Sequence, residues 1–326
     1  MEKKKITIIG AGMMGSALAF PAAENGHEVH IVGTCLDDKI IDGYLATGKH
    51  EKFCRPFPEN VNYHYFKDWK TVVEGSDFVI GGVSSFGVDW FLEEILIQLD
   101  PEMPVLSVTK GLRATDDGSL LSYPGYWMSE LAKRGIHRDI CAVGGPCTSY
   151  ELVFKDPTEV AFCGWDNEVL RMMKQAMQRP YYHISLTNDV IGLESAVALK
   201  NAYAMAVTLA VGLNIRWHGE EEVQHFNSQA GTFTQAVRET HALMLLQGGE
   251  FESECIGLGD LYVTIFSGRT RRCGVLMGRG LNYNQVTEAL AGITLESLVI
   301  TRIMGNAIRR LSLIHISEPT RPISIS

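Results

Sequence analysis

Two lysines stand where a charged side chain is costly. Lys200 lies in Ala198-Leu199-Lys200-Asn201-Ala202, inside a proline-free run rich in alanine and leucine from Asp189 to Ala210. Such a lysine either snorkels to water or is buried with a task. Desolvation favours a neutral amine, and a second cation nearby pushes the same way, which suits proton transfer near neutrality. Lys110 follows the apolar run Val105–Val108 in Val108-Thr109-Lys110-Gly111-Leu112. Ligands of open α/β sheets bind at such strand ends, so Lys110 is either a surface charge or a cation aimed at a ligand. A third cluster, Gly257-Leu258-Gly259-Asp260-Leu261-Tyr262-Val263-Thr264, precedes Ser267-Gly268-Arg269-Thr270-Arg271-Arg272. The acid and hydroxyl could orient a lysine, and the guanidinium forks match phosphate oxygens. A solvated basic turn has the same composition.

These groups need a scaffold, and the first half of the chain describes one. Ile6–Gly10 is a short β-branched run, Met14–Asn25 a helical stretch, and Glu28–Val32, Phe78–Val83, Val105–Val108 and Cys141–Val143 are further apolar runs. Strands alternating with helices predict a parallel sheet covered on both faces. Thr158–Cys163 and Tyr181–Leu186 extend the sheet, and Phe53–Asn62, with Pro56, Pro58 and Asn60, reads as a loop. The texture then changes: Asp189–Ala210 and Gly231–Gln247 read as helices, the first capped by Asn188 or Asp189. The boundaries drawn are 1–187, 188–310 and a tail, 311–326.

Gly10-Ala11-Gly12-Met13-Met14-Gly15 matches G-x-G-x-x-G between a strand and a helix. Its glycines permit a tight turn and close approach of backbone to a pyrophosphate, with the helix N-terminus facing the anion. That context predicts dinucleotide binding. Where the second strand ends, Gly33-Thr34-Cys35 offers neither an acid for a ribose hydroxyl nor an arginine for a 2′-phosphate. NAD and NADP both stay open, with a lean to NAD because no cation is offered. Asp37 and Asp38 come late and read as the start of the next helix.

Composition excludes several classes. With 29 basic against 38 acidic residues the net charge is −9, which argues against a chain-wide nucleic-acid or anionic-membrane footprint. No run of about 20 apolar residues is apparent, and no apolar signal region follows Lys3-Lys4-Lys5, so the cytoplasm is the expected compartment. Cys35, Cys54, Cys141, Cys147, Cys163, Cys255 and Cys273 are scattered without C-x-x-C spacing, so neither a disulfide framework nor a metal site is expected.

The order of the clusters says more than any one of them. G-x-G-x-x-G at the N-terminus, Thr-Lys-Gly-Leu at 109–112, Gly145-Pro146 with Glu151-Leu152, Leu-Lys-Asn at 199–201, Gly-Leu-Gly-Asp-Leu at 257–261 and Arg-x-Arg at 269–271 resemble the NAD(P)-dependent glycerol-3-phosphate dehydrogenase family. The resemblance spans nearly all of residues 5–310. It implies an α/β N-terminal Rossmann-type doubly wound sheet with an all-α C-terminal substrate domain like that of 6-phosphogluconate dehydrogenase. It implies interconversion of sn-glycerol 3-phosphate and dihydroxyacetone phosphate with NAD or NADP.

The roles carry over residue by residue. Lys200 would move the hydroxyl proton, Asp260 with Thr264 would hold that lysine or the substrate hydroxyls, and Lys110 would sit by nicotinamide and substrate. Arg269 would bridge cofactor and substrate. Gly10, Gly12, Met13, Met14, Gly15, Thr34, Phe86, Ser149, Thr294 and Glu296 fall at the family's cofactor contacts. Gly145, Cys147, Asn201, Gly268 and Thr270 fall at its substrate contacts. The partners implied are a small anionic substrate and a second copy of the chain, with no nucleic acid and no integral membrane segment.

The chain also departs from the family. Gly268-Arg269-Thr270 stands where bacterial members commonly read Ser-Arg-Asn, and Cys147 places a thiol where a hydroxyl usually meets substrate. One lost hydrogen bond to a charged group costs about 1.5–3 kcal/mol, or roughly one to two decades in kcat/KM. A same-fold dehydrogenase of another small hydroxy or keto compound is therefore an alternative, as is a catalytically silent nucleotide-binding protein. From Leu311 the chain reads Leu-Ser-Leu-Ile-His-Ile-Ser-Glu-Pro-Thr-Arg. This resembles the in-frame translation of a transposon adapter used in sequencing libraries, so 311–326 is expected to be non-native, with a natural polar tail as the alternative.

Overall fold

The computed structural model describes residues 2–115, 119–219, 226–293 and 295–310. The expectations for Thr294 and for 311–326 lie outside the described residues. The chain divides into two compact units, Met1–Lys110 with Tyr123–Glu194, and Gly111–Ser122 with Ser195–Ser326.

In chain order the strands are β1 (Lys5–Ile9), β2 (Glu28–Val32), β3 (Val61–His64), β4 (Phe78–Gly81), β5 (Val105–Ser107), β6 (Leu112–Ala114), β7 (Leu120–Ser122), β8 (Ile140–Gly144), β9 (Thr158–Cys163) and β10 (Tyr182–Thr187). The first unit's sheet runs β10-β9-β8-β5-β4-β1-β2-β3. Its pairings are parallel except β8 against β9. Central strands of such a sheet are buried on both faces, which is why every residue of β1 after Lys5 is buried and all but Thr7 of these are isoleucine. Ile6 and Ile8 join Leu18, Phe20 and Phe162 on one side, whereas Ile9 joins Val79, Phe91, Val105 and Trp127 on the other. The order reverses between β1 and β4, the switch point where ligands of open sheets bind.

The covering helices are α1 (Met13–Glu24), α2 (Asp38–Thr47), α3 (Trp69–Val73), α4 (Val88–Phe91), α5 (Tyr123–Ala132), α6 (Ser149–Val153) and α7 (Asn167–Met177). Those of the second unit are α8 (Val190–His218, entering from the first), α9 (Phe226–Leu246), α10 (Phe251–Phe266), α11 (Gly268–Gly278), α12 (Tyr283–Ala289) and α13 (Glu296–Arg310). Leu199, Ala202, Leu261, Ile300 and Met304 build one core of this bundle, and Met205, Cys273, Val286 and Leu290 a second. The β6–β7 hairpin joins this unit through Leu112.

Three readings are corrected. The stretch expected to be a loop ends in β3, an edge strand of Val-Asn-Tyr-His with only its valine fully buried, too polar to show as an apolar run. The basic segment after Ser267 is the helix α11 rather than a turn. And α8 is long and apolar enough to cross a membrane by length and composition, although no such run was apparent; the interspersed Glu194, Lys200 and Asn201 disguise it, and two-thirds of its most apolar stretch is buried inside the protein. Asp189 caps α8, its Oδ1 accepting from the Gly192 N–H at 2.9 Å.

Candidate functional site

The glycine motif forms a backbone cradle in the first unit. Gly10, directly after β1, has φ +113°, and a Cβ there would lie 2.7 Å from the Gly82 carbonyl oxygen. A Cβ on Gly15 would lie 2.4 Å from the Gly10 carbonyl oxygen, so only glycine lets α1 start this close to the strand. Gly12 is the N-cap of α1 and carries no capping side chain, and no acid stands in the first turn. The first N–H groups and the positive end of the helix dipole are thus offered to an anion, which fits a pyrophosphate. Met13 and Met14 are partly buried against the core beside this cradle.

Asp37 stands at the start of α2, as expected, and its side chain has a further task. It occupies the N-cap position of α2 but makes no capping bond. Its Oδ2 instead accepts from the Thr34 N–H and hydroxyl, both at 2.8 Å, and from the Ala11 N–H at 3.2 Å. One carboxylate therefore ties the glycine turn to the β2–α2 turn and places negative charge at the end of β2. The signal was an acid four residues after Gly33, which read as an ordinary helix start. Phe86 is 70% exposed. Ser149 opens α6, whose N-cap Thr148 accepts from the Glu151 N–H.

Lys110 and Gly145 are brought together. Thr109 is buried, and its hydroxyl donates to the Val83 carbonyl at 2.8 Å, which anchors the strand end. The Lys110 Nζ donates to the Gly145 carbonyl at 3.1 Å, and Gly145 takes φ +132° to present it. Cys147 is partly buried.

In the second unit Lys200 of α8 and Asp260 of α10 form an ion pair, their side chains 13% and 2% exposed. The two helices meet at glycine: a Cβ on Gly257 would lie 2.5 Å from the Ala196 Cβ. Ala196 and Lys200 share one helical face, as do Gly257 and Asp260, so close docking at the small residues brings lysine to acid. A paired ammonium here is a proton donor in surroundings of low dielectric. The Thr264 hydroxyl donates to the Asp260 carbonyl at 2.6 Å, which fixes it one turn along α10 from the acid.

The start of α11 gathers the remaining groups. The Thr270 hydroxyl donates to Asn201 Oδ1 at 3.3 Å and is buried. Gly268 opens the helix, the N-cap Ser267 makes no side-chain cap bond, and no acid lies in the first turn, again an end suited to an anion. Arg269 is half exposed, 3.7 Å from Glu296. Arg271 donates to the Ile265 carbonyl at 2.7 Å, closing the end of α10. Among the described residues no three His, Cys, Asp or Glu side chains gather to hold a metal.

Models of the NAD-dependent glycerol-3-phosphate dehydrogenase N-terminus and C-terminus match residues 5–170 and 189–320. The chain belongs to the NAD-dependent glycerol-3-phosphate dehydrogenase family. It is 31% identical over 287 residues to the NADP(+)-dependent glycerol-3-phosphate dehydrogenase of Archaeoglobus fulgidus, covering 87% of this chain and 83% of that one. It is 24% identical to the NAD(P)+ glycerol-3-phosphate dehydrogenase of Clostridium botulinum, covering 90% and 84%. The crystal structure of glycerol-3-phosphate dehydrogenase from Coxiella burnetii superposes with TM-score 0.80 at 23% identity, covering 95% and 90%, which shows the shared fold. The dehydrogenase family fold, a Rossmann sheet followed by a helical bundle, is the one expected, and the family is one of NAD(P)-linked oxidoreductases.

One further buried group went unnoticed in the sequence. Glu194, in the first turns of α8, is 1% exposed. Its signal was an acid inside the apolar stretch Val190–Val197.

Proposed function

We propose that the chain interconverts sn-glycerol 3-phosphate and dihydroxyacetone phosphate by hydride transfer with NAD or NADP. The buried Lys200–Asp260 pair, in a member of this dehydrogenase family, carries the reading. In carbonyl reduction the Lys200 ammonium gives its proton to the carbonyl oxygen while hydride reaches the carbonyl carbon, leaving the alcohol. In oxidation the neutral amine takes the hydroxyl proton, and Asp260 orients it in both directions. The nicotinamide cofactor, when bound, supplies or accepts the hydride.

Lys110 adds positive potential where charge develops on the substrate oxygen. The start of α11, with Gly268, Arg269 and Thr270, holds the phosphate, and Asn201, Gly145 and Cys147 complete the substrate contacts. Gly10, Gly12, Gly15, Met13 and Met14 hold the dinucleotide, with Thr34, Phe86, Ser149 and Glu296 at its flanks. The negative charge of Asp37 at the end of β2 favours NAD over NADP. Family likeness adds a homodimer in the cytoplasm.

The test is oxidation of NADH by the purified protein with dihydroxyacetone phosphate. Turnover is expected, and tight NADH binding without turnover would sink the substrate assignment. A second reading rests on Thr270, whose hydroxyl is engaged by Asn201, and on Cys147: both change the substrate edge. A panel of phosphorylated and unphosphorylated ketones separates the two, the second predicting a better substrate than dihydroxyacetone phosphate.

A further inference from the structure

Two buried hydroxyls converge on one carbonyl of the glycine motif. Tyr44 of α2 donates to the Ala11 oxygen at 2.9 Å, and the Ser16 hydroxyl of α1 lies 3.1 Å from the same oxygen. The hydroxyls are themselves 2.7 Å apart. Ser16 is fully enclosed and Tyr44 is 1% exposed, which keeps bulk water from competing for the carbonyl. We propose that Tyr44 and Ser16 are positioning residues for the dinucleotide: by holding the Ala11 carbonyl inward they fix the Gly12 N–H in the opposite direction, at the open start of α1. This rests on the dinucleotide-binding role given to the glycine motif above.

The geometry follows from the peptide bond. In a trans peptide the C=O and the next N–H point opposite ways, and the Ala11–Gly12 bond is trans. Anchoring one end therefore aims the other. The Gly10 N–H is taken by the Val32 carbonyl at 2.8 Å and the Ala11 N–H by Asp37. Among the described residues the Gly12 N–H meets no acceptor, so it is the first donor the motif has left for an anion.

Two hydroxyl protons serve three contacts. When Tyr44 donates to Ala11, the Ser16 proton goes to the Tyr44 oxygen or shares the carbonyl; without Tyr44, Ser16 alone can serve it. Each hydroxyl thus covers for the other. The Tyr44 ring is held independently, edge-on to Phe57 and Tyr63 with centroids 5.1 and 5.3 Å away. Burial raises the Tyr44 hydroxyl well above its ordinary range, so it remains a donor.

The experiment compares wild type with Tyr44→Phe, Ser16→Ala and the double variant. It reads the Kd for NADH by fluorescence titration, the melting temperature, and kcat at saturating NADH. Each single variant keeps one donor on the carbonyl and should raise the Kd about two- to fourfold. The double variant leaves the carbonyl unpaired, so the peptide turns away to find a partner and must turn back on binding. Its Kd should rise about thirtyfold or more, beyond the product of the single effects, with kcat changed less than about twofold. A double variant that melts lower yet binds NADH like wild type would make the hydroxyls a packing feature and overturn the proposal. A Kd equal to the product of the single effects would overturn the shared carbonyl. Should the double variant fail to fold, the single variants decide, and a Kd unmoved in both overturns the proposal. The Kd and melting readings need no substrate, so they stand if dihydroxyacetone phosphate is not turned over; wild type that binds no NADH would instead bring down the dinucleotide reading itself.

Discussion

The two units place chemistry by different means. In the first, the cradle is main chain: Gly10, Gly12 and Gly15 work by lacking side chains, within six consecutive residues. In the second, the paired groups are side chains from different helices, Lys200 and Asp260, sixty positions apart. A backbone device is written locally, because the conformation and the function belong to the same residues. A side-chain device depends on how two helices dock, and here docking is decided at Gly257 and Ala196 rather than at the paired residues.

The sharpest way to break this division is at Lys200. Replacing it with methionine removes the proton donor and keeps most of the apolar stem. We expect kcat to fall by about two to four orders of magnitude, while the Kd for NADH, measured by fluorescence titration, changes less than about twofold. Removing the ammonium from the buried ion pair adds a cost of up to about 3–5 kcal/mol in stability, so a melting curve must accompany the kinetics. Unchanged kcat would remove Lys200 from the mechanism.

The mirror experiment is Gly10→Ala. With φ +113° and the Gly82 carbonyl 2.7 Å from the new Cβ, the turn must shift. Strain of about 1–3 kcal/mol at such a site corresponds to roughly a 5- to 150-fold rise in the NADH Kd, with a far smaller effect on kcat at saturating cofactor. A variant that binds NADH normally but turns over slowly would reverse the assignment of the two devices.

The same distinction explains what the sequence disclosed. The central strands were legible because burial on both faces makes them continuous apolar runs; β3 was not, because an edge strand needs only Val61 inside. Lys200 was conspicuous as a charge in an alanine-rich helix, and Asp260 by its glycine neighbours, but their pairing came only from family order. Asp37 and Glu194 were missed for opposite reasons. Asp37 sits where a helix cap is ordinary, so its bonds to Thr34 and Ala11 left no mark. Glu194 showed only as a single acid inside the apolar stretch Val190–Val197, where nothing in the local pattern tells a buried carboxyl from an exposed one.

Asp37 gives the mildest and most diagnostic test, because it mixes the two means: a side chain that braces a backbone turn. Asn in its place keeps an oxygen able to accept from Thr34 and removes the charge. If the charge matters for cofactor choice, it acts across solvent-exposed turn residues such as Cys35, so screening applies. A pair of charges about 4 Å apart in water interacts by only about 1 kcal/mol, a factor of roughly five. The kcat/KM ratio of NADPH to NADH should therefore rise by about fivefold in Asp37→Asn at low salt, and less in 0.5 M salt, where the Debye length shrinks to about 4 Å. A fivefold gain that ignores salt would point to altered turn geometry instead. No gain at either salt would mean that Asp37 braces Ala11 and Thr34 and takes no part in telling NAD from NADP.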